Sequence, residues 1–294
     1  MASRTPATPG PSDRGRLLIT CPDRPGLVAA VSRFLAERGG NILRSDQHSN
    51  HPYGRDFFCR MEFTLPGLDR KWASFTEEFR DLAAPFAMDF RLHRADQTKK
   101  VAIFVSRQDH CLLELLWRWR SGELPCEIVH VISNHEDLRP LVEEWGVPFH
   151  HVPVDPLDRD RCETEERVLL GSDTDLIVLA RYMQILSPSF VRDWPHRIIN
   201  IHHGFLPAFA GGRAYEQAHE RGVKFVGATA HYVTDVLDGG PIIEQDIVRV
   251  DHRHGPDDLR RKGKYVEREV LARAVAWHLE DRILVFQGKT VVFS

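Results

Sequence analysis

Nothing in the 294-residue chain approaches the roughly 18 consecutive apolar residues of a membrane-spanning helix. Cysteine is scarce and irregular: Cys21, Cys59, Cys111, Cys126 and Cys162 are odd in number, widely spaced and never in a CxxC pair. That excludes a disulfide framework or a zinc ribbon as the organising device and points to a reducing compartment, the cytoplasm. An excess of charge of one sign is also missing. Lys and Arg number 39 against 42 Asp and Glu, a net charge of −3, which is the wrong balance for a protein that coats nucleic acid. The GxSxG elbow of serine hydrolases and the HExxH zinc helix are absent. The opening MASRTPATPGPSDRGR has no apolar core for a secretory signal and no amphipathic pattern for a transit peptide, so residues 1–15 read as a disordered tail.

What is present is a globular composition, 42% hydrophobic and 28% charged, in a chain long enough for two domains. Residues 16–96 alternate short strands and helices. RLLITC reads as a strand. Pro25 opens a helix on which Leu27, Val31, Phe34 and Leu35 recur at helical spacing, and Gly39–Gly40 ends it. NILRSDQHSN and RDFFCRMEFTL are strands joined through HPYG, LDRKWASFTEEFRDLAAPF is a second amphipathic helix, and MDFRLHR closes the segment. The order βαββαβ is the ferredoxin-like plan. The charged RLHRADQTKK is the linker, and residues 97–294 form the second domain. Its runs VAIFVS, EIVHVIS, PFHHVPV, DLIVLA and RIINI are apolar, β-branched and separated by helical stretches, the mark of a mostly parallel sheet covered on both faces. KFVGATAHYV and PIIEQDIVRV add strands, a long helix spans about Pro256 to Glu280, and a hairpin turns near Gln287–Gly288.

Chemistry concentrates in RIINIHHGFLPAFAGG and HYVTDVLDGGPII. Strand alternation puts Asn200 and His202 on one face and His203 on the other. A polar pair at the C-terminal end of a parallel strand lies where α/β folds bind ligands. Asp238 sits in a turn whose glycines let backbone approach a ligand. An amide donor, an imidazole and a carboxylate together polarise a carbonyl, stabilise an oxyanion and manage a proton. Taken singly, each residue is equally a satisfied strand-end or turn residue. Metal binding by His202, His203 and His231 lacks ligand spacing, His252 and His254 lie in a charged loop, and Cys111 beside His110 opens an amphipathic helix as a packed side chain. No metal is expected.

NIHHGFLPAF, GATAHYVTDVLDGGPI and LARYMQILS resemble the folate-dependent formyltransferase fold, and among its members the 10-formyltetrahydrofolate deformylases. ITCPDRPGLVAAVSRFLAERGGNI resembles an ACT domain, the arrangement found in those deformylases. The resemblance implies an α/β protein with an N-terminal ferredoxin-like ACT domain and a C-terminal Rossmann-like formyltransferase domain. It also implies hydrolysis of 10-formyltetrahydrofolate to tetrahydrofolate and formate, supplying purine biosynthesis and balancing one-carbon pools. By position, Asn200, His202 and Asp238 match the family's catalytic Asn, His and Asp, while Met183, Leu186 and Val233 match folate-pocket positions. Gly204, expected as a fourth substrate-binding position, stands in the loop after His202 and His203 where the family usually has Ser. A φ below zero there would let Ser fit with activity held or raised, and a φ above zero would make it strained. The folate is substrate, and no cofactor is implied.

The acceptor is read by elimination. Transfer to a sugar-phosphate amine needs a Gly-rich cradle after the first strand, but VSRQDHCLLE has no glycine and Asp109 would repel phosphate. An RNA acceptor fits neither the charge nor the absence of a further module. Water is left. The alternatives are a formyltransferase to an amine and an inactive folate or amino-acid sensor. In the first domain, Asp23 and Gly26 of the CPDRPGL turn and Asn41 after the helix are expected at one edge, lining a pocket for a free amino acid. The resemblance points to glycine or methionine. Otherwise Asp23 caps the helix and Asn41 turns the chain. The resemblance also implies a homo-oligomer, dimer or tetramer, with no nucleic-acid or membrane partner.

Overall fold

The computed structural model describes residues 10–155, 157–209, 211 and 213–293. Among them no helix is long and apolar enough to cross a membrane. The chain divides into two compact units, the first holding residues 10–98, 281–284 and 291–293, the second residues 99–280 and 285–290. Two sequence expectations change here. The tail predicted over residues 1–15 is ordered from Gly10 onward: a 3-10 turn spans Pro11–Asp13, the Asp13 carbonyl accepts from the Leu65 N–H at 2.8 Å and its carboxylate from the Gly67 N–H at 2.8 Å. Residues 1–9 lie outside the described residues. Part of the C-terminus assigned to the second domain returns to the first unit. The buried Arg60 guanidinium donates to the Asp281 carbonyl at 2.8 Å, and Arg16 pairs with the Asp281 carboxylate at 3.2 Å.

The first unit is a four-stranded antiparallel sheet of β1 (Arg14–Pro22), β2 (Asn41–Ser49), β3 (Asp56–Thr64) and β4 (Asp89–Arg94), in the order β2-β3-β1-β4. Helix α1 (Leu27–Glu37) buries Leu27, Val31, Phe34 and Leu35, and α2 (Leu68–Ala83) buries Leu68, Phe75, Phe79 and Ala83. Phe34 meets Phe75 and Phe79 edge-on, each at 5.3 Å, the arrangement ring quadrupoles favour. This is the βαββαβ plan that the periodicity predicts.

The second unit is built on a seven-stranded sheet of β5 (Lys99–Val105), β6 (Cys126–Ser133), β7 (Phe149–His151), β8 (Leu176–Leu179), β9 (Ile198–His202), β10 (Phe225–Tyr232) and β11 (Ile242–Arg249). Their order is β11-β10-β9-β8-β5-β6-β7, parallel from β7 to β9 and antiparallel at β10 and β11. Helices α3 (His110–Arg120), α4 (Arg139–Glu144), α5 (Arg159–Leu170), α6 (Pro188–Asp193) and α7 (Ala214–Glu220) follow the strands, and α8 (Pro256–Leu279) comes after β11. Leu176–Leu179 is buried throughout, as a strand covered on both faces must be. The chain leaves β5 toward β6 on one side and comes back to β8 on the other. The C-terminal ends of β5 and β8 therefore form the crevice at which open α/β sheets bind ligands.

Candidate active site

Asn200 and His202 project from the C-terminal end of β9, and antiparallel pairing sets His231 of β10 directly opposite Asn200. His231 Nδ1–H donates to the Tyr232 carbonyl at 2.9 Å, so its Nε2 carries the lone pair and accepts from Asn200 Nδ2 at 3.2 Å. Burial holds the His231 pKa below its ordinary value and keeps the ring neutral in this role. One amide N–H of Asn200 is thereby anchored.

Asp238 lies in the turn after β10 with φ of 53°. The turn closes by the Gly239 N–H donating to the Val236 carbonyl at 3.0 Å. Gly240 is obligatory, because a Cβ there would stand 1.8 Å from the Tyr232 carbonyl oxygen. So held, the carboxylate faces His202 Nδ1 at 3.4 Å and accepts from the Gly211 N–H at 3.2 Å. The hydrogen bond from His202, against the opposing effect of burial, keeps the Asp238 pKa below the usual carboxylate range. His202 Nε2 donates to the Phe209 carbonyl at 3.1 Å, so each imidazole nitrogen faces an acceptor. The loop behind is braced by buried Thr229, which donates to the Gly204 carbonyl at 2.9 Å and accepts from the Leu206 N–H at 3.0 Å.

A pocket beside these groups is lined by Leu179, Leu186, Asn200, His231, Val233 and Asp238. Gln184, Thr234 and Asp235 line it as well, so apolar and polar side chains share its walls; His202 is not in the lining and meets the pocket through its pairing with Asp238. Of the predicted folate-contacting residues, Leu186 and Val233 are here. Met183 is not: it has φ of 60°, is half exposed, and lines a second cavity with Arg181 and His203. Residues 181–186 follow β8 without regular structure, so no alternation rule carries Met183 to the same wall as Leu186.

Gly204 borders neither cavity. Its φ lies outside the left-handed region, which by conformation alone admits Ser. Space is the tighter condition. A Cβ would come within 2.8 Å of His202 Nε2 and 3.1 Å of the Ala214 Cβ. The permissive φ is therefore not sufficient: Ser fits only with a shift of the His202 ring.

The effector pocket expected at Asp23, Gly26 and Asn41 is also corrected. Gly26 (φ 95°) is the N-cap of α1, and the Asp23 carboxylate accepts from Ser49 Oγ at 2.5 Å. Asn41 begins β2, whose register runs from Asn41↔Thr64 to Ser49↔Phe57, eight strand steps of about 3.3 Å. Helix α1 has carried the chain from one end of the sheet to the other, so Asn41 lies at the opposite end from Asp23 and Gly26.

Two features were not legible. His231 was visible only as one of several histidines; its role comes from the β9–β10 register. A buried network joins α3, α7 and α8: Glu267 accepts from His110 Nε2 at 2.8 Å and Tyr215 OH at 2.6 Å, with Arg181 Nε 3.5 Å away. His110, Cys111 and Glu267 bring ligand atoms within 4.8 Å of one another. Both Glu267 oxygens are already engaged and a guanidinium stands beside them, which opposes a cation.

Residues 99–275 match the formyl transferase family and residues 15–64 the ACT domain, so an ACT unit joined to a formyl transferase unit is the class that fold and site define. The chain belongs to the formyltetrahydrofolate deformylases. It is 54% identical over 286 residues to the formyltetrahydrofolate deformylase of Bacillus subtilis (strain 168), covering 97% of this chain and 95% of that one. The crystal structure of a formyltetrahydrofolate deformylase from Pseudomonas syringae pv. tomato superposes with a TM-score of 0.91 at 51% identity, covering 96% and 94%. A glycinamide ribonucleotide transformylase from Symbiobacterium toebii matches 67% of this chain and 95% of its own, with a TM-score of 0.62 at 30% identity.

Proposed function

We propose that the protein hydrolyses 10-formyltetrahydrofolate to tetrahydrofolate and formate with Asn200, His202 and Asp238 as the reacting groups. The observation that carries this reading is that Asn200 and Asp238 line one pocket while the buried His202 pairs with Asp238 at 3.4 Å. The folate lies against Leu186 and Val233. Water attacks the formyl carbon, its O–H proton passing toward Asp238, which is ionised and positioned to orient it. Asn200, one N–H anchored on His231, offers the other to the developing oxyanion. The Nε2–H that His202 shares with Phe209 is the proton it has to give, first to the oxyanion as a hydrogen bond and then to N10 as the C–N bond breaks. Tetrahydrofolate takes that proton on nitrogen, and the second oxygen of formate is the water's. Formate then feeds the one-carbon pool and purine synthesis.

Water as acceptor is supported by the segment after β5, where Ser106–Arg107–Gln108–Asp109 offers no glycine cradle for a sugar phosphate. Supplying glycinamide ribonucleotide with 10-formyltetrahydrofolate tests this: hydrolysis alone is expected, and formyl transfer at a comparable rate would replace the reading by a transformylase. Five free cysteines, four of them buried, support a cytoplasmic setting. The ACT match supports association into a dimer or tetramer and an amino-acid effector, glycine or methionine, with the Asp23–Gly26 turn rather than Asn41 as the place to look.

A further inference from the structure

A second cavity, of about 210 Å³, adjoins the active site at the β5/β8 crevice. Gln108 reaches it from the segment after β5, Arg181 from the segment after β8, His203 from the end of β9, Tyr215 from α7, and Lys264 and Glu267 from α8. Nothing in the proposed hydrolytic mechanism uses it.

Arg181 is the feature that needs explaining. It is 7% exposed, with φ of 65°, and among the described residues its Nε and Nη1 have no hydrogen-bond partner. Glu267 is the nearest carboxylate, 3.5 Å away, but its oxygens are engaged by His110 and Tyr215. The single negative charge is shared among three donors and the guanidinium is under-compensated. A buried cation with unmade hydrogen bonds is costly unless something in the cavity completes them. The protein has invested in this geometry: Gly263 of α8 leaves room for the Tyr215 hydroxyl, which a Cβ would meet at 1.8 Å. At the rim, Arg260 is tied to Glu216 and Asp257, while Lys264 is exposed and adds positive charge to the lining.

We propose that this cavity is a binding site for a small oxyanion, held by Arg181 below and Lys264 at the rim. Formate is the oxyanion formed beside it, on the reading that the protein is a deformylase, and inorganic phosphate shares the same chemistry. His202 and His203 are adjacent in sequence, their rings 5.2 Å apart, so the site of bond cleavage and the cation cavity are neighbours. Formate leaving the ionised Asp238 is repelled on one side and attracted on the other. The site would then receive the product and make formate an inhibitor of its own release.

Direct binding to the intact protein without folate tests this, using ¹³C-formate and, separately, inorganic phosphate, each followed by NMR titration at constant ionic strength. Saturable formate binding is expected. It should weaken about two- to five-fold in Lys264→Gln, which removes one rim charge, and at least about tenfold in Arg181→Met, with Arg181→Lys recovering part of it. Lys264 is exposed, so its variant reports even where Arg181→Met fails to fold. Saturable phosphate binding without formate binding keeps the oxyanion site and assigns it to phosphate. No saturable binding of either ion, or binding indifferent to both positions, overturns the proposal. Because no folate is present, a protein that hydrolyses but binds no anion fails this inference alone, and one that binds formate but does not hydrolyse fails the deformylase reading alone.

Discussion

Replacing Asp238 by Asn removes one charge and little else. The amide keeps an oxygen for the Gly211 N–H, and the turn that holds it is set by Gly239 and Gly240 rather than by the carboxylate. What is lost is the pairing of the carboxylate with His202 Nδ1 at 3.4 Å, an attraction of about 5 kcal/mol at an effective dielectric of about 20 whenever the ring is cationic. If that interaction sustains the proton that His202 delivers, turnover should fall by the roughly 10²–10⁴-fold typical of losing an acid–base group. That is about 3–5 kcal/mol in barrier height, in line with the electrostatic figure. The loss should appear in kcat and equally in kcat/KM, because the substitution leaves Leu186 and Val233, the pocket walls proposed to hold the folate, in place. Steady-state rates of tetrahydrofolate formation give both constants. Turnover within a few-fold of wild type, or a defect confined to KM, would refute the assignment of Asp238.

Gly204→Ala places a methyl 2.8 Å from His202 Nε2, so kcat should drop by at least about tenfold with thermal stability lowered modestly; unchanged kcat would show that the ring can yield. His231→Ala frees the Asn200 amide, and loss of one anchoring bond of about 1 kcal/mol predicts a several-fold fall in kcat with KM nearly constant. His231→Gln, which retains an acceptor, should recover part of it, and equal defects in the two variants would contradict the positioning role. Buried Glu166, which accepts from Tyr182 OH at 2.6 Å, has its pKa raised to about 7, chiefly by burial. A carboxyl raised on folding stabilises below its unfolded value of 4.5 and loses that contribution as pH climbs to about 7, roughly 3 kcal/mol in all. Urea unfolding at pH 5 and pH 8 should show this decline in wild type and a smaller one in Glu166→Gln; identical slopes would remove Glu166 from the account.

The parts legible in the sequence are those governed by local rules. Amphipathic spacing located α1 and α2, continuous β-branched runs located the parallel strands, and alternation put Asn200 and His202 on one face of β9. The glycines after Asp238 marked a turn able to bring a carboxylate close. What escaped depends on which distant segments meet. Only the pairing of β10 against β9 reveals that His231 fixes Asn200, since nothing local sets that register. Arg181 and Glu267 stand on different elements and meet only across the folded unit, so their pair has no sequence spacing to betray it. Asn41 was misplaced for the opposite reason: it is near Gly26 in sequence, and α1 spends that nearness crossing the sheet. The return of Asp281 to Arg60 is likewise a contact that no composition shift announces.

The central claim is that this site passes the formyl group to water. Incubating the purified protein with 10-formyltetrahydrofolate in H₂¹⁸O, with no amine present, tests it most directly. The account predicts one formate per tetrahydrofolate formed, each formate carrying one ¹⁸O. Formate free of the label, or no tetrahydrofolate formed at all, would contradict it.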